Sequence, residues 1–158
     1  MIVVTVGTNE APFDRLLQAV DRLRVDEDLL VQYGASQVRP AAARCVEFLP
    51  FDEMAERFRE ARVVVCHAGV GSILLALSCG RRPVVVPRLH QFGEAVDDHQ
   101  VPLARRLASQ NLVRLVDDLA DLPAALTEDG TLPSRAAGGG RLAGDVHDYI
   151  RDRLSTVR

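Results

Sequence analysis

The stretch that most constrains the fold runs from residue 62 to residue 87. A β-branched run, Val63–Cys66, leads into the turn sequence His67–Ser72, an apolar helical segment, and a second apolar run, Pro83–Pro87. Strand, glycine turn, helix and strand in this order predict a parallel βαβ unit with a right-handed crossover. The chain is therefore expected to contain a parallel sheet.

The glycines of the turn are the first candidate functional feature. Without a Cβ, Gly69 and Gly71 let another group approach the backbone closely. Their amides belong to a predicted helix N-terminus, where unpaired N–H groups and the helix dipole favour an anion. Ser72 adds a hydroxyl, and His67 ends a strand at the edge where open α/β sheets bind ligands. Two interpretations stay open, a phosphate cradle or glycines needed only for tight packing.

The rest of the chain repeats the alternation of apolar runs and amphipathic helices. Strands are expected at Ile2–Val6, Leu29–Tyr33, Arg44–Phe48, Val63–Cys66, Pro83–Pro87 and Leu112–Val116. Helices are expected between them, including one with Asp52 as its N-cap and one that starts at Asp117 or Asp118. The pattern predicts an α/β fold with a doubly wound, mostly parallel, Rossmann-like sheet.

The chain divides into one domain and a C-terminal extension. Residues 1–127 carry all the predicted strands, and residues 128–140, rich in glycine, are expected to form a flexible linker. In residues 141–158 apolar side chains recur at every fourth position, which predicts an amphipathic helix. This helix either packs back on the same domain or docks on a partner.

Composition excludes several classes of protein. The 158 residues carry a net charge of −3, which argues against nucleic-acid binding. Met1 is followed at once by an apolar strand without a basic segment, so no signal peptide is expected. The three cysteines lack metal-ligand spacing, and no Asp-x-Asp metal site is evident. We expect a cytoplasmic protein that needs neither a metal ion nor another cofactor.

Several ordered motifs together resemble a known family. HAGVGSILLAL at 67–77, PVVVPR at 83–88 and DDHQ at 97–100 look like the donor-binding half of GT-B glycosyltransferases, specifically the glycosyltransferase family 28 C-terminal domain. The opening from Val4 to Asp21 and the pattern FGE-x-x-DDHQ resemble stand-alone small subunits of two-component bacterial exopolysaccharide glycosyltransferases. The resemblance covers the chain to about residue 115.

The resemblance implies a nucleotide-sugar site, usually for a UDP-sugar. It assigns the donor diphosphate to the histidine-glycine turn, the donor sugar hydroxyls to a pair at the start of a later helix, and a further contact to the first loop. The residues at these positions are His67, Gly69, Val70, Gly71 and Ser72, then His99 and Gln100, then Gly7 and Thr8. Many relatives hold the ribose with a glutamate where this chain has Leu75, so either Glu94 takes that role or ribose recognition is weak.

The function implied is inverting transfer of a sugar from a UDP-sugar to a lipid-linked acceptor, without a metal ion. The acceptor base usually belongs to the other GT-B domain, so a membrane-associated partner subunit is expected to supply it and to recruit this chain to the inner face of the membrane. One rival is a non-catalytic nucleotide-sugar-binding or scaffold subunit. An unrelated dinucleotide-binding domain is disfavoured, because the first strand is followed by GTNEAPF rather than G-x-G-x-x-G.

Overall fold

A computed structural model describes residues 1–132, and the predicted helix 141–158 lies outside the described residues. Six strands form one sheet: β1 (Ile2–Thr5), β2 (Leu29–Gln32), β3 (Arg44–Val46), β4 (Val63–His67), β5 (Val84–Val86) and β6 (Arg114–Leu115). Their order is β3-β2-β1-β4-β5-β6, and every pairing is parallel. The predicted doubly wound α/β fold is confirmed, with a described sheet that is parallel throughout.

Helices cover both faces of this sheet. They are α1 (Asp14–Asp21), α2 (Phe51–Glu60), α3 (Val70–Ser78), α4 (Gln100–Ser109) and α5 (Leu122–Ala125), with short 3₁₀ turns at His90–Phe92 and Leu119–Asp121. Alternate strand residues pack on opposite sides: the face with Val4 and Val65 meets α1 and α5, and the face with Val3 and Val64 meets α2 and α3. Burial on both faces explains why the strands read as continuous apolar runs.

The winding of the chain reverses at β1. From β1 the chain builds outward through β2 to β3 on one side, then returns to place β4 against the other side of β1. The loops that follow β1 and β4 therefore lead away to opposite faces and leave a crevice between them at the carboxyl edge. In open parallel sheets this reversal point is where ligands bind.

Of two predicted helix starts, the structure contradicts one and confirms the other. The prediction that Asp52 caps α2 is wrong, because Pro50 occupies the cap position and the helix begins at Phe51. Asp52 instead lies in the first turn, where its charge still favours the positive end of the helix dipole. The start at Asp118 is confirmed, since its carboxylate accepts a hydrogen bond of 2.9 Å from the Ala120 amide.

Part of the predicted linker 128–140 is described, and it is anchored. The Gly130 amide donates to the Arg62 carbonyl at 3.0 Å, and the Gly130 carbonyl accepts from the Arg82 amide at 2.7 Å. The Leu132 amide donates to the Gly80 carbonyl at 2.9 Å, and its side chain is buried. Residues 130–132 are thus tied to the amino edge of the sheet, and residues 133–140 lie outside the described part.

No helix within residues 1–132 has the length and apolar character needed to cross a membrane.

The packing of α2 on the sheet includes one large buried aromatic side chain. Phe58 is fully buried between α2 and the sheet. We expect Phe58→Ala to lower the free energy of unfolding by about 3–5 kcal/mol, because a cavity replaces the ring. Urea denaturation of both proteins measures this difference. Phe92→Ala is the matched control, since that ring is 56% exposed; equal losses for the two variants would contradict this account of the core.

Candidate functional site

A cleft opens at the carboxyl edge, where the chain reverses its winding. Its volume is about 570 Å³. The lining comes from the ends of β1, β2 and β4, the first turn of α2, the first two turns of α3, and the loops next to them: Thr5, Gly7, Thr8, Asn9, Gln32, Phe48, Leu49, Phe51, Met54, His67, Gly71, Ser72 and Leu75. The two glycine-bearing loops singled out in the sequence therefore meet at one cavity.

The imidazole of His67 is held between two glycines. A Cβ at position 7 would lie 2.3 Å from His67 Nε2, and a Cβ at position 69 would lie 2.0 Å from His67 Cε1. Gly7 also has φ +77°, in the left-handed region. At Gly69 the backbone is ordinary, so the space taken by the ring is what requires glycine there. Of the two interpretations of the turn, the one in which glycine is needed only for tight packing therefore applies to Gly69.

His67 is neutral at physiological pH. Burial, together with the nearby charge of Arg88, lowers the pKa of the His67 imidazole to about 4. Its Nε2 atom lies 3.3 Å from the Ser72 hydroxyl, and its Nδ1 atom is buried with no partner among the described residues. A neutral ring can exchange hydrogen bonds with Ser72 and with a ligand without adding a charge to the cleft.

Gly71 has no packing reason to be glycine. It lies in the first turn of α3 and lines the cleft, and a Cβ built there would meet nothing within 4 Å. The first intrahelical bond is donated by Ile73 to Gly69, so the amides of residues 70–72 precede the bonded part of the helix. Gly69, the N-cap residue, has no side chain to cover them. These amides and the helix dipole are available to an anion in the cleft.

The loops around the cleft share one buried cation. Arg88, just after β5, is fully buried and donates from Nη2 to the Val6 carbonyl at 2.8 Å. Its Nη1 atom donates to the carbonyls of Ala11 at 2.9 Å and Glu94 at 3.1 Å, and its guanidinium lies 4.7 Å from the centre of the Phe13 ring. The loop after β1 is thereby joined to the loop after β5.

Glu94 does not reach the cleft. Its carboxylate forms a two-point ion pair with Arg15, with both N–O distances 2.9 Å, and it accepts the Leu89 amide at 3.0 Å. With only 3% of its surface exposed, it is a structural group. The expectation that Glu94 reads a ribose is therefore wrong for this arrangement, because its oxygens are already used inside the protein.

The remaining predicted residues fall into two groups. Five of the predicted positions line the cleft, namely Gly7, Thr8, His67, Gly71 and Ser72, while Gly69 and Val70 adjoin it at the start of α3. His99 and Gln100 begin α4 and are not among the residues that line the cleft. His99 is paired with the Asp97 carboxylate.

Sequence reasoning missed the aromatic rim of the cleft. Phe48 and Phe51 line it and are 60% and 70% exposed. Both follow β3 at the carboxyl edge, so strand direction alone could have placed them near the glycine loops. The polar pair Thr5 and Gln32 was also missed; the Thr5 hydroxyl donates to the Gln32 side-chain carbonyl on the cleft wall.

Residues 1–136 match the glycosyltransferase family 28 C-terminal domain. The chain belongs to this family. Curated relatives include UDP-N-acetylglucosamine–N-acetylmuramyl-(pentapeptide) pyrophosphoryl-undecaprenol N-acetylglucosamine transferases. The one from Aromatoleum aromaticum is 33% identical over 130 residues, which cover 78% of this chain and 31% of the relative. The one from Geobacter metallireducens is 31% identical over 157 residues, which cover 87% of this chain and 40% of the relative.

Solved structures agree with this assignment. The crystal structure of Acinetobacter baumannii MurG matches with a TM-score of 0.54 at 27% identity, over 79% of this chain and 40% of that chain. The family predicted from the motifs is thus confirmed. This family 28 chain spans between 31% and 40% of the length of the two curated relatives.

The contrast between two glycines of this family 28 domain gives a stability prediction. We expect Gly69→Ala to lower the free energy of unfolding by about 1–3 kcal/mol, because the new methyl group overlaps the His67 ring. Gly71→Ala should leave it unchanged or raise it by up to ~1 kcal/mol, because the site is open and alanine favours helix. Urea denaturation measures both, and the reverse order of stabilities would refute the contrast.

The environment of His67 gives a pH prediction. Its pKa is about 4 in the folded chain against an ordinary 6.5, so the unfolded chain takes up the proton first. The free energy of unfolding should therefore fall as the pH drops from 6.5 to about 4. Histidine NMR resonances report the midpoint, and His67→Gln removes this component of the pH dependence. A midpoint near 6.5 for His67 would contradict the buried, neutral ring.

Proposed function

We propose that the chain is the donor-binding, catalytic part of an inverting glycosyltransferase that takes its sugar from a UDP-sugar. The observation that carries this proposal is the open space at Gly71. The glycine at 69 is required by the packing of His67, but Gly71 lines the cleft and its missing Cβ relieves no contact within the protein. A diphosphate seated against the backbone amides of α3 explains the glycine.

The electrostatics at this point suit a leaving diphosphate. As the glycosidic bond breaks, negative charge grows on the diphosphate oxygens, and fixed N–H donors at a helix N-terminus stabilise that charge without reorganising. The amides of residues 70–72 and the Ser72 hydroxyl are such donors, with His67 beside Ser72. Loss of one comparable donor typically costs on the order of 10²–10³ in rate.

The exposed aromatic rings support a nucleotide rather than a simple phosphate. Phe48 and Phe51 offer apolar faces on the cleft, and stacking of a base on an aromatic ring contributes about 1–3 kcal/mol. The two curated relatives carry UDP-N-acetylglucosamine in their names, which favours uracil as the base.

We infer further that the acceptor is a lipid-linked sugar in polysaccharide biosynthesis, such as that of an exopolysaccharide. The names of the relatives include a pyrophosphoryl-undecaprenol acceptor. Among the described cleft-lining residues, His67 is the titratable one, and its pKa of about 4 makes it a weak base for an acceptor hydroxyl. A membrane-associated partner subunit that supplies the base and the acceptor site, at the inner face of the membrane, accounts for this chemistry.

Calorimetric titration of the purified chain tests the donor site. We expect UDP to bind, GDP to bind at least tenfold more weakly, and NAD not to bind. Gly71→Ala should keep the fold but weaken UDP binding by about tenfold or more, since its methyl group occupies the position of the diphosphate. Leu74→Ala, one position off the cleft-lining face of α3, is the control and should bind UDP as the parent does.

Binding of NAD in preference to UDP, or undiminished UDP binding by Gly71→Ala, would refute the donor-site proposal. The catalytic role is tested separately, by sugar transfer with the partner-containing enzyme. If Gly71→Ala blocks UDP binding but leaves transfer at the parent rate, the chain is a scaffold subunit rather than the catalytic one.

A further inference from the structure

The exposed apolar side chains of the described chain gather at one edge of the sheet. Within residues 1–132, four large hydrophobic side chains are exposed: Phe48, Phe51, Phe92 and Val96. All four follow strand β3 or β5, and parallel strands end at the same edge, so they lie at the carboxyl edge. Phe48 and Phe51 line the cleft, whereas Phe92 and Val96 are not among its lining residues. A bound nucleotide can therefore cover the first pair and leaves the second pair exposed.

The loop after β5 is fixed at its base while its tip stays exposed. In its middle, the buried Glu94 forms its two-point ion pair with Arg15, with both N–O distances 2.9 Å. The Arg15 guanidinium lies 5.0 Å from the centre of the Phe92 ring. The Asp98 carboxylate closes the loop by accepting the His90 amide at 2.7 Å. The apolar tip is thus held in place before any partner arrives, which lowers the entropic cost of binding.

The same edge of the sheet is acidic. The loops after β1, β3 and β5 and the first turn of α2 expose five acidic side chains: Glu10, Glu47, Asp52, Asp97 and Asp98. These described segments expose neither arginine nor lysine, because their one arginine, Arg88, is fully buried. Arginines instead lie at the starts of strands on the opposite edge, at positions 62, 82 and 114. We call the five acidic and four apolar side chains together the carboxyl-edge surface.

Charge distinguishes between the possible partners of this surface. The inner leaflet of a membrane carries anionic lipids, which an acidic surface repels. A second copy of the chain in a two-fold contact would place the same acidic side chains opposite one another. A protein face that combines apolar pockets with arginine or lysine complements both features. Its cations would also balance the charge of a diphosphate in the cleft.

We propose that the carboxyl-edge surface is the docking site of a protein partner whose contact face is apolar and basic. This inference rests on the proposed function, because the occupant is the partner subunit that supplies the acceptor site. Phe92 and Val96 are the anchors of the contact outside the cleft, in keeping with the dominance of a few buried apolar side chains in protein interfaces. A partner seated there covers the cleft and places an acceptor opposite the donor.

Co-sedimentation with membranes tests the docking site without knowledge of the sugar. The membranes come from the organism that produces the chain, after deletion of its gene, and labelled chain is added in increasing amounts. We expect saturable binding by the parent. Phe92→Ser/Val96→Ser should raise the half-saturating concentration by about tenfold or more, because it removes the apolar anchors. The same double variant should bind UDP as the parent does, since neither residue lines the cleft.

A charge reversal tests the electrostatic part of the inference. We expect Glu47→Arg to raise the half-saturating concentration by about threefold or more at low ionic strength, because it places a cation against a basic face. Asp26→Arg is the matched control. It makes the same change of charge at an exposed position in the segment between α1 and β2, on the opposite edge of the sheet, and should bind as the parent does.

Three results would overturn the docking site while leaving the donor site intact. Unchanged membrane binding by both Phe92→Ser/Val96→Ser and Glu47→Arg would show that the partner docks elsewhere. Equal binding of the parent to protein-free phosphatidylglycerol vesicles would assign the surface to lipid. A dimer of the isolated chain that Phe92→Ser/Val96→Ser dissociates would assign it to a second copy. If the parent binds UDP but not the membranes, the partner subunit of the proposed function fails and this inference fails with it.

Discussion

The buried guanidinium of Arg88 is the interaction on which the geometry of the cleft depends. It is a full charge removed from water, and backbone carbonyls of two loops surround it in place of a carboxylate. Such a charge is tolerated in the interior when its N–H groups find acceptors. The loops therefore approach closely enough to bond both terminal nitrogens, while Nε has no partner among the described residues. The positions of Gly7 and Thr8 at the cleft therefore follow from a residue that lies outside it.

The same cation also affects the chemistry of the cleft. It lies close enough to His67 to disfavour a second positive charge there, and burial acts in the same direction. The site thus attracts a diphosphate through fixed amides and a helix dipole rather than through a protonated side chain. Because neither the amides nor the dipole titrates near neutral pH, the affinity for an anion is expected to depend little on pH in the physiological range.

Much of this arrangement was accessible from sequence, because it follows from local pattern and strand direction. The alternation of apolar runs with helical segments predicted the sheet, and parallel strands brought the loops at Gly7 and Gly71 to one edge. The placement of Glu94 was not accessible. Its ion pair with Arg15 joins residues 79 apart in the chain, and no local pattern reveals a contact of that kind. The exposure of Phe51 likewise depends on the orientation of α2 against the sheet. The sequence shows only that residue 51 is hydrophobic, not which way the helix turns it.

The fit of the His67 ring between Gly7 and Gly69 has a consequence for how this turn can change. An alanine at position 69 is excluded by the ring, not by the backbone, so it becomes acceptable once a small residue replaces the histidine. Position 7 stays restricted in either case, because of its positive φ. The effects of substitutions at 67 and 69 on stability are therefore strongly non-additive, whereas the effects of substitutions at 67 and 7 are closer to additive. A lineage could lose the histidine and then the glycine at 69, but the reverse order passes through a destabilised intermediate.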